Sequence, residues 1–107
     1  MEESLSVIAE VIDKYQNAGA ISADNLIIML RRLTIHNYKL AEFNVDYYNQ
    51  YNAILFNHSG SVASGKVIAD NEVPELRQTR KIMDAVENVM WSMRSELSII
   101  KSENNNK

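Results

Sequence analysis

The clearest pattern in the chain is a heptad repeat between Leu76 and Lys101. Its two apolar positions lie three residues apart, and no Gly or Pro interrupts them. A repeat of this kind keeps one apolar seam turned toward one neighbouring helix, as in a coiled coil. We therefore predict a long helix over residues 75–101 that packs against another helix. The apolar members of the seam are Leu76, Met83, Val86, Met90, Met93, Leu97 and Ile100.

Two further helices precede this one. Apolar residues at helical spacing predict a first helix over residues 4–18, with Ser4 as its cap. A second and longer helix is predicted over residues 23–56, capped by Ser22 or Asp24. The chain therefore consists of few, long elements.

The segment between the two long helices carries loop chemistry. Residues 57–74 are predicted to form a loop with a short helix, Val62 to Asp70, which Ser61 can cap. The polar end of the chain, residues 102–107, is expected to be a frayed tail.

The second helix has a mixed seam of its own. Its heptad stripe starts apolar at Leu26 and becomes amide-rich at Asn37 and Asn44. Buried amides in such a seam fix register and partner at a cost in stability, and the alternative is that both face water. A second stripe that includes Tyr38 and Val45 gives this helix two apolar faces, which suggests more than one neighbour.

The fold class predicted from these patterns is all-α. Three Gly and one Pro in 107 residues disfavour a protein rich in tight turns. We predict one domain, residues 1–107, in which the two long helices form an antiparallel hairpin with coiled-coil-like packing and the first helix packs across it. The apolar faces exceed what one hairpin hides, so we expect a homo-oligomer, a dimer first. The heptad seam, with Asn37 and Asn44, is assigned to the oligomer, although the sequence also allows it to close within one chain.

Composition excludes several classes of protein. The net charge of −3, from 14 acidic and 11 basic residues, indicates no global attraction to nucleic acid or to anionic membrane. The absence of cysteine excludes a disulfide, a thiol nucleophile and a zinc ribbon. An acidic start and the lack of an apolar run of about 18 residues predict a soluble, cytoplasmic protein with no membrane partner.

One phosphate-binding motif is almost complete. Gly60 to Lys66 fits the G-x-x-x-x-G-K part of the phosphate-binding loop, but Val67 replaces the hydroxyl residue that binds magnesium. That loop also needs a β-strand before it, and residues 53–56 continue a helical pattern. We therefore expect a loop and a short helix with Lys66 on the surface.

Local spacing offers no catalytic or metal site. The two histidines, His36 and His58, have no His, Asp or Glu three or four residues away. No nucleophile–base pair or carboxylate pair can be assembled either. We expect no enzyme, no catalytic residue, no metal ligand and no cofactor.

The residues between Asn44 and Asn52 are rich in Tyr, Asn and Gln. Such side chains stack on bases and bond to their edges, and Tyr is also enriched in protein interfaces. A plain helix–helix seam is the third interpretation. Three tyrosines carry the argument: Tyr47, Tyr48 and Tyr51.

Trp91 lies off the main seam of the last helix, on the side of Arg94. A Trp in this position should be covered by the first helix, by a second subunit or by a partner. Near the start of the same helix, Arg77, Arg80 and Lys81 form a cluster of cations that indicates a solvated face or, alternatively, a phosphate site.

The sequence Glu87-x-x-Met90-Trp91-x-x-Arg94 resembles the E-x-x-M-W-x-x-R stretch of phage sponge proteins. Those proteins capture the cyclic nucleotide signals of bacterial immunity with an oligomeric helical hairpin. The resemblance implies phage origin, action in the host cytoplasm, and a role for Trp91 and Arg94 in ligand or oligomer contacts.

The leading hypothesis is a non-catalytic interaction protein, such as a phage-type accessory or anti-defence factor that binds a macromolecular partner. An alternative is a binder of cyclic nucleotide or nucleic acid, in which Arg77, Arg80 or Arg94 holds phosphates. A further alternative is a structural coiled-coil subunit. The expected partners are a second copy of the chain and another protein, and the expected contact residues are Tyr47, Tyr48, Tyr51, Trp91 and Arg94.

Overall fold

The structure of the protein, a computed structural model, describes residues 1–105. Within them lie the α-helices α1 (Glu2–Asn17), α2 (Ala23–Asn57), α3 (Val62–Glu72) and α4 (Glu75–Asn105). The predicted all-α class is confirmed. The molecule measures 67 × 25 × 20 Å, and it is elongated because α2 and α4 are long and lie side by side.

Side-chain caps fix the starts of α2 and α3. The hydroxyl of Ser22 accepts a hydrogen bond from the Asn25 backbone N–H at 3.2 Å. The hydroxyl of Ser61 accepts one from the Ser64 backbone N–H at 3.1 Å. Each bond satisfies one of the free N–H groups at the start of its helix, as the sequence predicted.

Both outer helices are longer than predicted. The helix α1 begins at Glu2, so the assignment of Ser4 as its cap is wrong. Ser4 is buried inside α1, and its hydroxyl lies 3.0 Å from Nδ1 of His36. At the other end, residues 102–105 continue α4 instead of forming a frayed tail, and residues 106–107 lie outside the described part.

The long helices α2 and α4 form an antiparallel pair. The side-chain amide of Asn37 reaches Glu87, whereas that of Asn44 reaches Thr79, so numbers rise along α2 as they fall along α4. The short helix α3 folds back on the end of α2 and connects the pair. The predicted hairpin of two long helices is therefore confirmed.

The first helix lies along one side of α2. Ser4 contacts His36, and Glu10 forms an ion pair with Arg32 at 3.4 Å, so α1 runs antiparallel to α2. Its last turn also reaches α4, where the Tyr15 hydroxyl donates to Glu96 at 2.8 Å.

The core lies where α1, α2 and α4 meet. Its buried members are Ile8 and Val11 of α1, Leu26, Leu33 and Leu40 of α2, and Val86, Met90 and Met93 of α4. The heptad seam of α4 is therefore filled within the chain. Its assignment to contacts between copies is wrong, because Leu76, Val86, Met90 and Met93 are buried, and Met83, Leu97 and Ile100 are partly buried against the same core.

The two seam amides are also used within the chain, and in different ways. The side-chain N–H of Asn44 donates to the Leu76 carbonyl at 3.2 Å and to the Thr79 hydroxyl at 2.8 Å. Asn37 is buried and donates to Glu87 at 3.4 Å, and its Oδ1 has no hydrogen-bond partner among residues 1–105. Both amides therefore join α2 to α4. Asn44 does so with two hydrogen bonds, whereas Asn37 does so with one long bond and leaves a buried oxygen unsatisfied within residues 1–105.

Replacing these amides should have opposite effects. Asn37→Leu is expected to raise the free energy of unfolding by about 1 kcal/mol, because it removes a buried oxygen that has no partner. Asn44→Leu is expected to lower it by about 1 kcal/mol, because two hydrogen bonds to α4 are lost. Urea denaturation of both variants measures the contrast, and a loss of stability in Asn37→Leu would contradict it.

Candidate functional site

A cleft of about 680 Å³ lies at the end of the molecule where α2, α3 and the start of α4 meet. The helix α2 supplies Tyr48, Tyr51 and Asn52 to its wall. Because α3 folds back along α2, it brings Lys66 and Asp70 to the opposite wall. We call this site the basic cleft, and its volume suits a ligand of nucleotide size.

The cations of the basic cleft outnumber its acids. Lys66, Arg77, Arg80 and Lys81 line it, whereas Asp70 is the one carboxylate that does so. Asp70 lies 3.9 Å from Arg77, and the other three cations form no ion pair within residues 1–105. Since the whole chain carries −3, this concentration of positive charge is local. The N-terminus of α4 adds its partial positive charge to the same place.

The aromatic wall of the cleft is held in position by charged neighbours. The guanidinium of Arg80 lies 5.8 Å from the ring centroid of Tyr48, within the range of a cation–π contact. The Tyr48 side chain is still 46% exposed, so its ring remains accessible. Burial and the neighbouring Asp70 carboxylate raise the pKa of Tyr51 above its ordinary value.

The near-complete phosphate-binding motif does not form a phosphate-binding loop. Residues 53–56 belong to α2, so no strand precedes Gly60, and Ser61 begins α3 directly. The expectation of a loop and a short helix is confirmed, with Lys66 exposed on α3. Its placement on the basic cleft comes from the fold-back of α3, and the motif itself gives no signal for it.

His58 braces the turn before α3. Its Nε2 lies 2.7 Å from the Ser64 hydroxyl, and that hydroxyl also lies 3.1 Å from the Ser61 hydroxyl. The ring packs over Gly60 and Gly65, where an added Cβ would come within 2.6 Å of Nε2 and 3.1 Å of Cδ2, respectively. These contacts hold α3 against α2 and so support the wall of the cleft that carries Lys66.

The residues predicted to contact a partner are divided among three places. Tyr48 and Tyr51 line the basic cleft. Tyr47 points elsewhere, and its hydroxyl lies 3.7 Å from the Met1 sulfur. Trp91 is 69% exposed on α4, so of the three covers named for it α1 is excluded, whereas a second subunit and a partner stay predictions. Arg94, one turn on, borders a shallow apolar groove between α2 and α4 with Ile27, Leu30, Arg31, Thr34 and Ile35.

The structure joins two features that the sequence analysis treated separately. The Tyr–Asn segment of α2 and the cation cluster of α4 lie at least 25 residues apart in sequence, yet both line one cleft. The antiparallel hairpin brings them together, because the end of α2 lies beside the start of α4. The part of the site that sequence reasoning missed is Lys66 and Asp70, whose position depends on the path of α3.

Comparison with known proteins finds no matching family model, no matching curated protein and no matching solved structure. Among the described residues, no three His, Cys, Asp or Glu side chains gather to hold a metal ion. The helices described here also lack any stretch with the length and apolarity needed to cross a membrane.

Proposed function

We propose that this chain is a non-catalytic binding protein whose basic cleft takes a ligand that combines phosphate with an aromatic base, namely a nucleotide or a single-stranded nucleic acid. The observation that carries the proposal is the meeting of an accessible Tyr48 ring with Lys66, Arg80 and Lys81, three cations without ion pairs in the described chain.

Each part of such a ligand finds its counterpart in the cleft. Bases stack on aromatic rings whatever their sequence, and Tyr48 offers such a ring. Phosphates are held by Lys and Arg, and the four cations stand on two walls, Lys66 on α3 and the others on α4. The amide of Asn52 supplies donors and an acceptor of the kind that read base edges.

Titration at low and at moderate salt tests the proposal, with a labelled single-stranded oligonucleotide, a cyclic dinucleotide and inorganic phosphate as separate probes. We expect Arg80→Glu/Lys81→Glu to weaken binding at least about tenfold and to flatten the salt dependence, because each lost phosphate contact removes about 0.7 from the slope of log K against log salt for a single strand. The matched control is Lys39→Glu/Lys101→Glu, which makes the same change in net charge on residues outside the cleft.

The aromatic contribution is measured separately. Tyr48→Ala should weaken binding of the oligonucleotide about 5- to 150-fold, whereas Tyr48→Phe keeps the stacking ring and most of the affinity. The inorganic phosphate probe should be insensitive to both changes. If no probe binds at low salt, or if the control charge reversals weaken binding as much as those in the cleft, the proposal is wrong.

A second candidate function is favoured by the exposure of Trp91. The Trp91 indole is 69% exposed, and Arg94, one turn further along α4, borders the apolar groove. A large exposed aromatic side chain is typical of a surface that binds another protein, which is the leading hypothesis from the sequence. Trp91 is the sole tryptophan, so its fluorescence reports on this surface alone. A protein partner should shift its emission to shorter wavelength, whereas a ligand confined to the basic cleft should leave the emission unchanged.

The biological setting stays a prediction. A phage-type accessory or anti-defence role, action in the host cytoplasm and the resemblance to sponge proteins are all compatible with a cleft for nucleotides. The sponge-like stretch itself lies outside the basic cleft, however, since Met90 is in the core and Trp91 is on the surface. The alternative of a structural coiled-coil subunit loses its main support, because the heptads of α4 are used within the chain.

A further inference from the structure

The side of α2 that faces away from the core carries a second heptad pattern, which we call the outer seam. Its members alternate by four and three residues, and at 100° per residue they lie opposite the core positions of α2. They are Asp24, Ile28, Arg31, Ile35, Tyr38, Glu42, Val45 and Asn49. This arrangement is the pattern of a helix that packs on both sides.

The apolar members of the outer seam are uncovered. Ile28, Ile35, Tyr38 and Val45 are between 53% and 68% exposed, although each is large and all four fall on one stripe. The helix α1 lies on a different side of α2, and it contacts Arg32 and His36 instead. Four large apolar side chains exposed along one stripe, interrupted by Arg31 and Glu42, mark an interaction surface on a small domain.

We propose that the outer seam is the interface of an antiparallel homodimer, in which α2 of one copy packs along α2 of a second copy. With the two-fold axis between His36 and Asn37, Ile35 lies opposite Tyr38 of the second copy, Ile28 opposite Val45, and Arg31 opposite Glu42. The symmetry repeats each pair, so four apolar pairs and two ion pairs form along one contact. This inference is independent of the basic cleft.

Charge complementarity identifies the occupant as a second copy. Arg31 and Glu42 are the oppositely charged members inside the apolar stripe, and neither forms an ion pair within residues 1–105. In the antiparallel dimer each faces the other. In a parallel dimer Arg31 would face Arg31 and Glu42 would face Glu42, which is repulsive at both levels.

The same residues exclude neighbouring registers of the antiparallel pair. A shift by one heptad in one direction sets Glu42 of one copy against Asp24 of the other, and these two carboxylates repel each other. A shift in the other direction sets Ile28 against Asn52 and separates the charges. The register centred between His36 and Asn37 is thus the one in which apolar residues meet apolar residues and opposite charges meet.

Sedimentation equilibrium of the full chain tests the dimer through its charges. We expect a dimer for the wild type, and a dimer dissociation constant at least about tenfold higher for Arg31→Glu and for Glu42→Arg alone. The double exchange Arg31→Glu/Glu42→Arg should restore the wild-type constant, because it restores opposite charges across an antiparallel interface only. All three changes are on exposed residues, and circular dichroism checks that helix content is unchanged.

Cross-linking tests the orientation. The chain has no cysteine, so introduced thiols act without background. A mixture of Ile28→Cys chains with Val45→Cys chains should form a disulfide-linked dimer, whereas Ile28→Cys alone should not, because its two thiols would be about 25 Å apart at 1.5 Å per residue. A monomer at all concentrations, failure of the double exchange to restore the dimer, or cross-linking of Ile28→Cys alone would overturn the proposal.

Discussion

Leu33→Ala is expected to lower the free energy of unfolding by about 3 kcal/mol, within the range of roughly 2–5 kcal/mol for such truncations in a core. Leu33 is fully buried at the centre of the α2 face that meets both α1 and α4. Its loss removes apolar contacts and leaves a cavity that three rigid helices cannot easily close. The expected fall in Tm is more than about 10 °C for a domain of this size.

The matched control is Ile99→Ala on α4, whose side chain is more than half exposed. It removes a similar apolar group, yet its effect should stay within about 0.5 kcal/mol because the side chain is already in contact with water. Both measurements are made by thermal and urea unfolding at one fixed protein concentration, since dimer formation would make stability depend on concentration. Equal effects of the two variants would mean that the core is not where the structure places it.

Leu33 follows Leu26 by one heptad, so its place in the core could be predicted from the sequence, and so could most of the fold. Heptad spacing located both long helices, because a seam must face a neighbour along its whole length. Helix ends were less predictable. Ser4 looks like a cap in the sequence, but α1 begins two residues earlier, at Glu2. The Ser4 hydroxyl contacts His36 of α2 instead of capping α1.

What the sequence left open was the identity of the neighbour. The seam of α4 predicts a helical partner equally well whether that helix belongs to the same chain or to another copy. The structure decides the question, since the chain returns through α3 and places α4 beside α2. The seam of α4 that was assigned to the oligomer is therefore intramolecular. The outer seam of α2 is the surface that we propose for a second copy.

The candidate site was predictable in its parts and not in its assembly. Tyr48 and Arg80 were each recognised as unusual for their local composition. Local spacing does not predict that Tyr48 and Arg80 are in contact, because this contact depends on the register of the α2–α4 hairpin. Asn44 lies one turn before Tyr48, and it fixes that register through its bonds to Leu76, one turn before Arg80, and to Thr79, the residue directly before Arg80. A structural amide thus sets the geometry of the basic cleft.

A charge introduced on the buried face of α1 is expected to give the other large loss in the free energy of unfolding. Val11 is fully buried on the face of α1 that packs in the core, so Val11→Asp places a carboxyl among apolar side chains. We expect a loss of more than about 3 kcal/mol at neutral pH, through undocking of α1. Burial raises the pKa of the introduced carboxyl above its unfolded value of about 3.9, so the loss should be smallest below about pH 4 and grow as the pH rises.

The control variant Val11→Asn separates the effect of charge from the effect of polarity, because the Asn side chain has nearly the shape of Asp and does not titrate. Its loss of unfolding free energy should be smaller than that of Val11→Asp at neutral pH, and it should not change with pH through ionisation of the introduced side chain.

The docking of α1 is followed through Tyr15, since burial and the hydrogen bond to Glu96 raise the pKa of Tyr15 to about 12. The Tyr15–Glu96 hydrogen bond therefore stabilises the docked α1 fully below about pH 10, and this stabilisation is lost as the pH rises toward 12. In Val11→Asp, a titration followed by NMR, which resolves the Tyr15 ring from the four other tyrosines, should return the Tyr15 pKa toward 10 while the helix content of α2 and α4 persists. A Tyr15 pKa that stays near 12 in this variant would mean that α1 remains docked despite the buried charge.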